Sequence, residues 1–132
     1  MNKTIKFAVV GLGHIGKRHT QMIQQEPDAE LVAYCDVKPR EQLNLQETNV
    51  PLFGSIDEML ASGIDIDVVN ICSPNGFHTE QSIKALEKKC HVVCEKPMAL
   101  SKADAEKMIY KSLEVSRNIF GVMQNRYSPP SV

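Results

Sequence analysis

The fold of this chain is decided by the stretch Phe7-Ala8-Val9-Val10-Gly11-Leu12-Gly13-His14-Ile15-Gly16. In it, a short apolar run of β-forming residues passes into three glycines with the spacing G-x-G-x-x-G, and a helical pattern follows at once. That context turns a common glycine spacing into the prediction of a dinucleotide-binding turn. Gly11 is expected to make the tight turn, Gly13 to let the backbone approach a pyrophosphate, and Gly16 to let the helix pack closely on the strand. Free N–H groups at the helix start then face the phosphates. The residues expected to contact the cofactor here are Gly11, Leu12, Gly13, His14, Ile15 and Gly16.

A carboxylate follows the next β-like run, residues 30–35. It belongs to Asp36, twenty positions after Gly16, which is the place where this kind of fold needs an acid for the ribose hydroxyls. A solvated acid at a strand end is the alternative interpretation. Because a carboxylate repels a 2′-phosphate, Asp36 favours NAD over NADP, a preference that Lys38 and Arg40 would soften.

Length and charge limit the possible partners. With 132 residues the chain is of single-domain size, and 42% apolar with 23% charged residues is ordinary for a soluble globular protein. Fifteen basic against sixteen acidic residues leave a net charge of −1, which gives no electrostatic basis for binding nucleic acid or an anionic membrane. The sequence contains no apolar run of membrane-spanning length and no secretory signal pattern. We therefore expect a cytoplasmic protein without nucleic-acid or membrane partners.

The four cysteines fit that compartment. Cys90 and Cys94 are four positions apart, but no second cysteine pair or close cysteine–histidine grouping completes a zinc set. We expect free thiols that act as small buried hydrophobic groups, and no metal site.

Strand-like and helix-like segments alternate along the chain. Strands are expected at residues 5–10, 30–35, 50–53, 67–72, 91–94 and 119–123, and helices at 14–25, 39–48, 55–60, 78–88 and from 101 onward. Alternation with short links predicts parallel strands joined by right-handed crossovers. The fold class is therefore α/β, a Rossmann-type doubly wound parallel sheet of about six strands with helices on both faces. The domain is expected to cover residues 1–127, with 128–132 starting a linker.

Two of these helices carry more detailed signals. Ser55 and Glu58 have the spacing of a capping box at a helix start. The last helix is expected to begin at a cap in residues 101–104. Its core-facing stripe is expected to include Ala105, Met108, Ile109 and Ser112.

Besides the glycine turn, three polar segments follow predicted strands. They are Ser73-Pro74-Asn75-Gly76-Phe77-His78, Glu95-Lys96-Pro97 and Gln124-Asn125-Arg126-Tyr127. Because ligands of an open parallel sheet bind outside the carboxyl ends of the strands, these segments are expected to gather around a nicotinamide ring. A solvated Lys96 and a helix-capping His78 are the alternative interpretations.

Taken together, Gly-x-Gly-x-Ile-Gly-x-x-His (Gly11 to His19), Ser73-Pro74-Asn75-x-x-His78 and Glu95-Lys96-Pro97 resemble the glucose–fructose oxidoreductase / inositol dehydrogenase / rhizopine catabolism (Gfo/Idh/MocA) family. The Glu-Lys-Pro triplet is the specific part of this resemblance. The ending Gln124 to Tyr127 is also similar to members that act on nucleotide-linked sugars, such as those oxidising UDP-N-acetylglucosaminuronate.

The resemblance implies a role for each matching residue. Lys96 would hydrogen-bond the reacting sugar hydroxyl and assist loss of its proton while hydride passes to the nicotinamide. Glu95 would sit beside the nicotinamide ribose. His19 is expected to pack or bond within the first helix. The remaining cofactor contacts implied are Ser73, Pro74, Asn75, His78 and Asn125.

The resemblance covers only the N-terminal half of that family. The missing half would bind the sugar or nucleotide-sugar substrate and form a homo-oligomer interface. We therefore expect a fragment of a longer oxidoreductase, or a truncated product, that binds NAD but turns over sugar very poorly alone. The alternative function is a non-catalytic nucleotide-binding module, either a redox sensor or a CoA-binding domain.

Overall fold

Six parallel strands form the centre of the fold. The computed structural model describes residues 4–38, 40–43, 50–73, 78–95 and 102–122. The strands are β1 (Ile5–Val10), β2 (Ala29–Cys35), β3 (Leu52–Phe53), β4 (Val68–Ile71), β5 (His91–Glu95) and β6 (Ile119–Val122). They pair in the order β3-β2-β1-β4-β5-β6, and every pairing is parallel. The predicted doubly wound sheet is confirmed.

Within the ranges just given, five helices connect the strands. They are α1 (His14–Gln25), α2 (Arg40–Leu43), α3 (Ile56–Leu60), α4 (His78–Glu87) and α5 (Lys102–Val115). Among the described helices, none has both the length and the apolar character needed to cross a membrane.

The helices cover both faces of the sheet, as predicted. Val9 and Tyr34 point to one face, where they form a core with Ile23 of α1 and Leu43 of α2. The other face carries a larger core, in which side chains of β1, β4 and β5 meet those of α3, α4 and α5. Its fully buried members include Ala8, Met59, Val69, Ile71, Ala85, Leu86, Val92, Cys94 and Met108. Buried on both faces, the central strands are made of apolar residues almost throughout.

Local signals set the edge of the sheet and the start of α3. The backbone N–H of Glu58 donates to Ser55 Oγ at 3.2 Å, which confirms the predicted cap of α3. Strand β3 lies at the sheet edge, where Pro51 has no N–H to offer but its carbonyl accepts from Tyr34 N–H at 2.9 Å. Of the helix predicted at 39–48, the described part is α2; residues 44–49 lie outside the described residues.

The stripe predicted for α5 is correct for two residues and wrong for a third. Met108 is fully buried and Ser112 is 8% exposed, whereas Ile109 is 49% exposed. Met108 and Ser112 are four positions apart and share a helix face, but each residue advances by about 100°, which turns Ile109 toward solvent. The Ala105 side chain and the cap at residue 101 lie outside the described part.

The order of the strands reverses between β1 and β4: β2 and β3 are added on one side of β1, and β4, β5 and β6 on the other. This reversal opens a crevice at the carboxyl ends of β1 and β4. Gly11 turns the chain there with a φ of +88°, and a Cβ on it would lie 2.6 Å from the Ser73 nitrogen. A Cβ on Gly16 would overlap the carbonyl oxygen of Gly11. The first turn of α1 therefore rests directly on the glycine turn, with no room for a side chain between them.

We expect Gly16→Ala to lower the free energy of unfolding by about 2–3 kcal/mol, because a backbone carbonyl would have to move to admit the methyl group. Gly13→Ala is the matched control, since φ at Gly13 is −73° and nothing lies within 4 Å of the added Cβ. Its loss should not exceed about 1 kcal/mol. Urea unfolding of both variants measures the difference; equal losses would contradict the packing described here.

Candidate functional site

The start of α1 is the first component of the site. Gly13 is the N-cap residue, no side chain caps the helix, and no acidic residue lies in its first turn. The N–H groups of this turn therefore keep their hydrogen-bonding capacity, and the helix dipole adds partial positive charge there. A Cβ on Gly13 would meet open space, so the backbone at this point faces solvent rather than protein. This arrangement is suited to an anion such as a pyrophosphate.

Asp36 is the second component. Its Oδ2 accepts from the backbone N–H of Leu12 at 2.7 Å, and its Oδ1 accepts from Lys38 N–H at 2.9 Å. The Asp36 N–H in turn donates to the Phe53 carbonyl at 3.0 Å, which fixes the residue from the β3 side. Each carboxylate oxygen retains acceptor capacity, so a vicinal diol has two oxygens to donate to. The carboxylate and the glycine turn are therefore one connected unit.

Beneath α1, a buried polar pair joins the helix to the sheet. His19 and Asn70 are each 6% exposed, and the Asn70 side-chain amide donates to His19 Nδ1 at 2.9 Å. Asn70 Oδ1 is buried without a hydrogen-bond partner among the described atoms. His19 thus has the structural role expected of it, but its bond to Asn70 reaches β4 instead of staying on the first helix.

The remaining predicted residues lie at the carboxyl ends of β4 and β5, or outside the described ranges. Ser73 follows β4 against Gly11, and its hydroxyl donates to Gln81 Oε1 of α4. His78 begins α4 and Glu95 ends β5, so the backbone places both at the same edge of the sheet. Four predicted site residues lie outside the described part of the chain: Pro74, Asn75, Lys96 and Asn125.

A cavity of about 320 Å³ extends from Gly11 and Asp36 toward α3 and α4. Its lining combines the ends of β1, β2 and β4 with the first turns of α3 and the middle of α4. The lining residues are Val10, Gly11, Cys35, Asp36, Val37, Gly54, Ser55, Ile56, Asp57, Ser73, Glu80, Gln81 and Lys84. This volume is in the range of small-ligand sites.

The contribution of α3 and α4 to this cavity was missed at the level of sequence. Asp57 follows the cap residue Ser55, and Glu80 and Lys84 are one helical turn apart, so each alone is an ordinary exposed helix residue. The sequence did contain a signal for their contribution: each of these helices is predicted to begin shortly after a strand that ends at the ligand-binding edge of the sheet.

Two buried cysteines, Cys35 in the cavity wall and Cys90 just before β5, are not activated. All four thiols are free, as predicted. Burial, with the neighbouring Asp36 charge, raises the pKa of Cys35 to about 12, and burial raises that of Cys90 to about 11. These thiols therefore stay protonated at neutral pH and do not serve as nucleophiles. Within the described ranges, no group of three metal-ligating side chains occurs.

Comparison with known proteins identifies the family. Residues 5–122 match the Gfo/Idh/MocA family, described as an oxidoreductase family with an NAD-binding Rossmann fold. The D-glucoside 3-dehydrogenase of Escherichia coli is 37% identical over 107 residues, which are 79% of this chain and 30% of that protein. The myo-inositol 2-dehydrogenase of Thermotoga maritima is 30% identical over 124 residues, which are 93% of this chain and 37% of that protein.

A solved structure extends the comparison. The WlbA dehydrogenase from Bordetella pertussis, in complex with NADH and UDP-GlcNAcA, superposes with a TM-score of 0.84 and is 36% identical. The match covers 91% of this chain and 37% of that one. The chain thus spans about a third of the length of the relatives it matches. It belongs to the Gfo/Idh/MocA oxidoreductase family and forms that family's NAD-binding Rossmann fold.

Proposed function

We propose that this domain binds NAD as the cofactor-binding part of an oxidoreductase that moves hydride between nicotinamide and a hydroxyl group of a sugar or cyclitol. The observation that carries the proposal is the 2.7 Å bond between Leu12 N–H and the Asp36 carboxylate. It holds a ribose-binding acid beside an uncapped helix start, which is the pairing that a dinucleotide requires.

The residues present fit such a cofactor. The first-turn N–H groups of α1, at His14, Ile15 and Gly16, would bind the pyrophosphate. Asp36 would accept from both hydroxyls of the adenosine ribose, and Leu12 would stay bonded to the same carboxylate. Ser73, at the end of β4, would lie between the two halves of the dinucleotide, with Pro74, Asn75, His78 and Asn125 as further contacts.

We propose NAD rather than NADP. Asp36 is held in place by two backbone N–H groups, and a 2′-phosphate on the ribose would lie against its negative charge. Lys38 lies two positions after Asp36, and its backbone N–H donates a hydrogen bond to Asp36 Oδ1.

Lys96 is the residue we propose as catalytic. In the sequence it follows Glu95, the last residue of β5, and β5 ends at the edge of the sheet where the nicotinamide half of the cofactor would lie. Pro97 would restrict the loop that carries it. The bound nicotinamide supplies the hydride chemistry. The Lys96 ammonium would donate to the reacting hydroxyl oxygen and stabilise its developing negative charge, while the hydroxyl proton would pass to a base among the substrate-binding groups outside these 132 residues. Glu95 would bond the neighbouring ribose.

The substrate class is proposed from the relatives. They include dehydrogenases of a glucoside and of an inositol, and a dehydrogenase whose structure contains UDP-GlcNAcA. The expected substrate is therefore a sugar, a cyclitol or a UDP-sugar that reacts at one of its hydroxyl groups. We further propose that the complete protein works as a homo-oligomer in the cytoplasm, with the substrate-binding groups outside these 132 residues.

We expect these 132 residues to bind NADH in a fluorescence or calorimetric titration but to reduce NAD very slowly with UDP-GlcNAcA, a glucoside or myo-inositol, because the chain spans only a third of its relatives. Coenzyme A serves as the control ligand. Tighter binding of coenzyme A than of NADH would contradict the proposal that the domain binds NAD. Rapid sugar oxidation would contradict the proposal that the substrate-binding groups lie outside these 132 residues.

Asp36→Asn tests the cofactor preference, because it removes the charge and keeps an acceptor for Leu12 N–H. We expect about 10- to 100-fold weaker NADH binding, from the loss of charge-assisted hydrogen bonds to the ribose. The preference for NADH over NADPH should narrow in parallel. Asp65→Asn is the matched control, since the Asp65 side chain is 79% exposed and, within the described part of the chain, its ion pair is with Lys6 at 3.4 Å. If Asp36→Asn keeps the preference for NADH over NADPH, Asp36 does not bind the ribose.

Lys96→Met tests the catalytic proposal in the complete oxidoreductase. We expect kcat to fall by about 10²- to 10³-fold, the usual contribution of a donor that stabilises charge developing in the transition state. The Kd for NADH should stay unchanged, since Lys96 would act on the substrate hydroxyl. An unchanged kcat in Lys96→Met would refute this assignment. Lys102→Met is the control, because it removes another lysine close by in the sequence.

A further inference from the structure

The cavity beyond Asp36 ends in a cluster of charges that the cofactor contacts described so far do not use. Lys84 of α4 donates to Asp57 Oδ2 of α3 at 2.9 Å, and its Nζ lies 3.4 Å from Glu80 Oε2. All three residues line the cavity. The cluster therefore places a carboxylate and an ammonium side by side at the same point of the cavity.

The backbone under this cluster is packed against the core. Asp57 directly follows Ile56, which is 5% exposed, and lies in a turn capped by Ser55. Lys84 directly precedes Ala85, which is fully buried in the core between α4 and the sheet. Since both charged residues are adjacent to core residues on separate helices, the pair is held by tertiary packing rather than by a mobile surface loop.

The pair has unused hydrogen-bonding capacity. An ammonium group has three N–H donors, and two carboxylate neighbours use at most two of them. The Asp57 side chain is 68% exposed and the Lys84 side chain 32% exposed, so a ligand in the cavity can reach both groups. The bond to Asp57, followed by the charges around it, raises the pKa of Lys84, which keeps the donor protonated.

The walls between Asp36 and this pair are suited to a flat aromatic group. Val37 is 88% exposed next to Asp36, and Ile56 lies on the α3 side of the same cavity. A purine has apolar faces and a polar edge, and it is joined to the same ribose that Asp36 would bind. The base would thus extend from the carboxylate over Val37 toward Asp57 and Lys84.

We propose that Asp57 and Lys84 recognise the edge of a 6-aminopurine and so select an adenine dinucleotide. Asp57 accepts from the exocyclic amino group, and Lys84 donates to the adjacent ring nitrogen. A 6-oxopurine presents the reverse order, an oxygen facing the carboxylate and an N–H facing the ammonium. This inference rests on the proposed NAD function and adds a source of base selectivity to it.

The test is a pair of titrations of the 132-residue chain, one with NADH and one with the reduced nicotinamide hypoxanthine dinucleotide, followed by nicotinamide fluorescence. We expect the unmodified chain to bind NADH about tenfold more tightly than the hypoxanthine analogue, because two charge-assisted hydrogen bonds are lost with the latter. In Lys84→Met and in Asp57→Asn, that ratio should approach one.

Lys111→Met is the matched control. Lys111 also bridges two carboxylates, Glu87 at 3.5 Å and Glu114 at 2.9 Å, but it is not among the cavity-lining residues. This variant should keep the tenfold ratio. Equal binding of the two dinucleotides by the unmodified chain, or an unchanged ratio in Lys84→Met and Asp57→Asn, overturns this inference alone. Absence of NADH binding by the unmodified chain overturns it together with the proposed function.

Discussion

The close approach of Gly16 to the Gly11 carbonyl is the constraint on which the site depends. Because even one methyl group would overlap that oxygen, the helix start lies against the end of β1 in direct backbone contact. The N–H groups of α1 thereby face the crevice at which the strand order reverses. About half a positive charge at the helix start is then available to an anion without any charged side chain having to be positioned.

Asp36 extends this backbone unit without competing with it. A carboxylate near a helix start is normally drawn to the first-turn N–H groups, which are the groups that phosphates need. Here Asp36 bonds Leu12, which precedes the helix, and Lys38 of its own loop. The helix start stays open, and the acid is fixed at a constant distance from it. Two different parts of one ligand can therefore be bound at once.

How far sequence predicts such a site depends on whether its parts are local. The glycine spacing, the position of Asp36 and the Ser55 cap are set within a few residues or by the length of one βα unit, and each was predicted from the sequence. The charge cluster was not, because Asp57 and Lys84 are 27 positions apart and meet only when α3 and α4 pack on the same face of the sheet. The prediction for Ile109 was wrong although it used only local spacing. That spacing fits the apolar stripe of a helix, but the way in which α5 packs on the sheet determines that Met108, and not Ile109, is buried.

The distribution of charge favours different parts of the proposed ligand on the two sides of Asp36. Among the described cavity-lining residues, the charged ones are Asp36, Asp57, Glu80 and Lys84, so the cavity carries more negative than positive charge. Phosphates are repelled from this region, whereas ribose hydroxyls and an amino group find acceptors there. The positive end of α1 lies on the other side of Asp36 and attracts the phosphates. Because charges separated by more than about 10 Å are largely screened at physiological salt, these neighbouring groups rather than the net charge of −1 determine the orientation. Phosphates placed in the cavity beyond Asp36 would face carboxylates, so the charges of the fold favour the pyrophosphate on the α1 side of Asp36 and a ribose with its base on the other side.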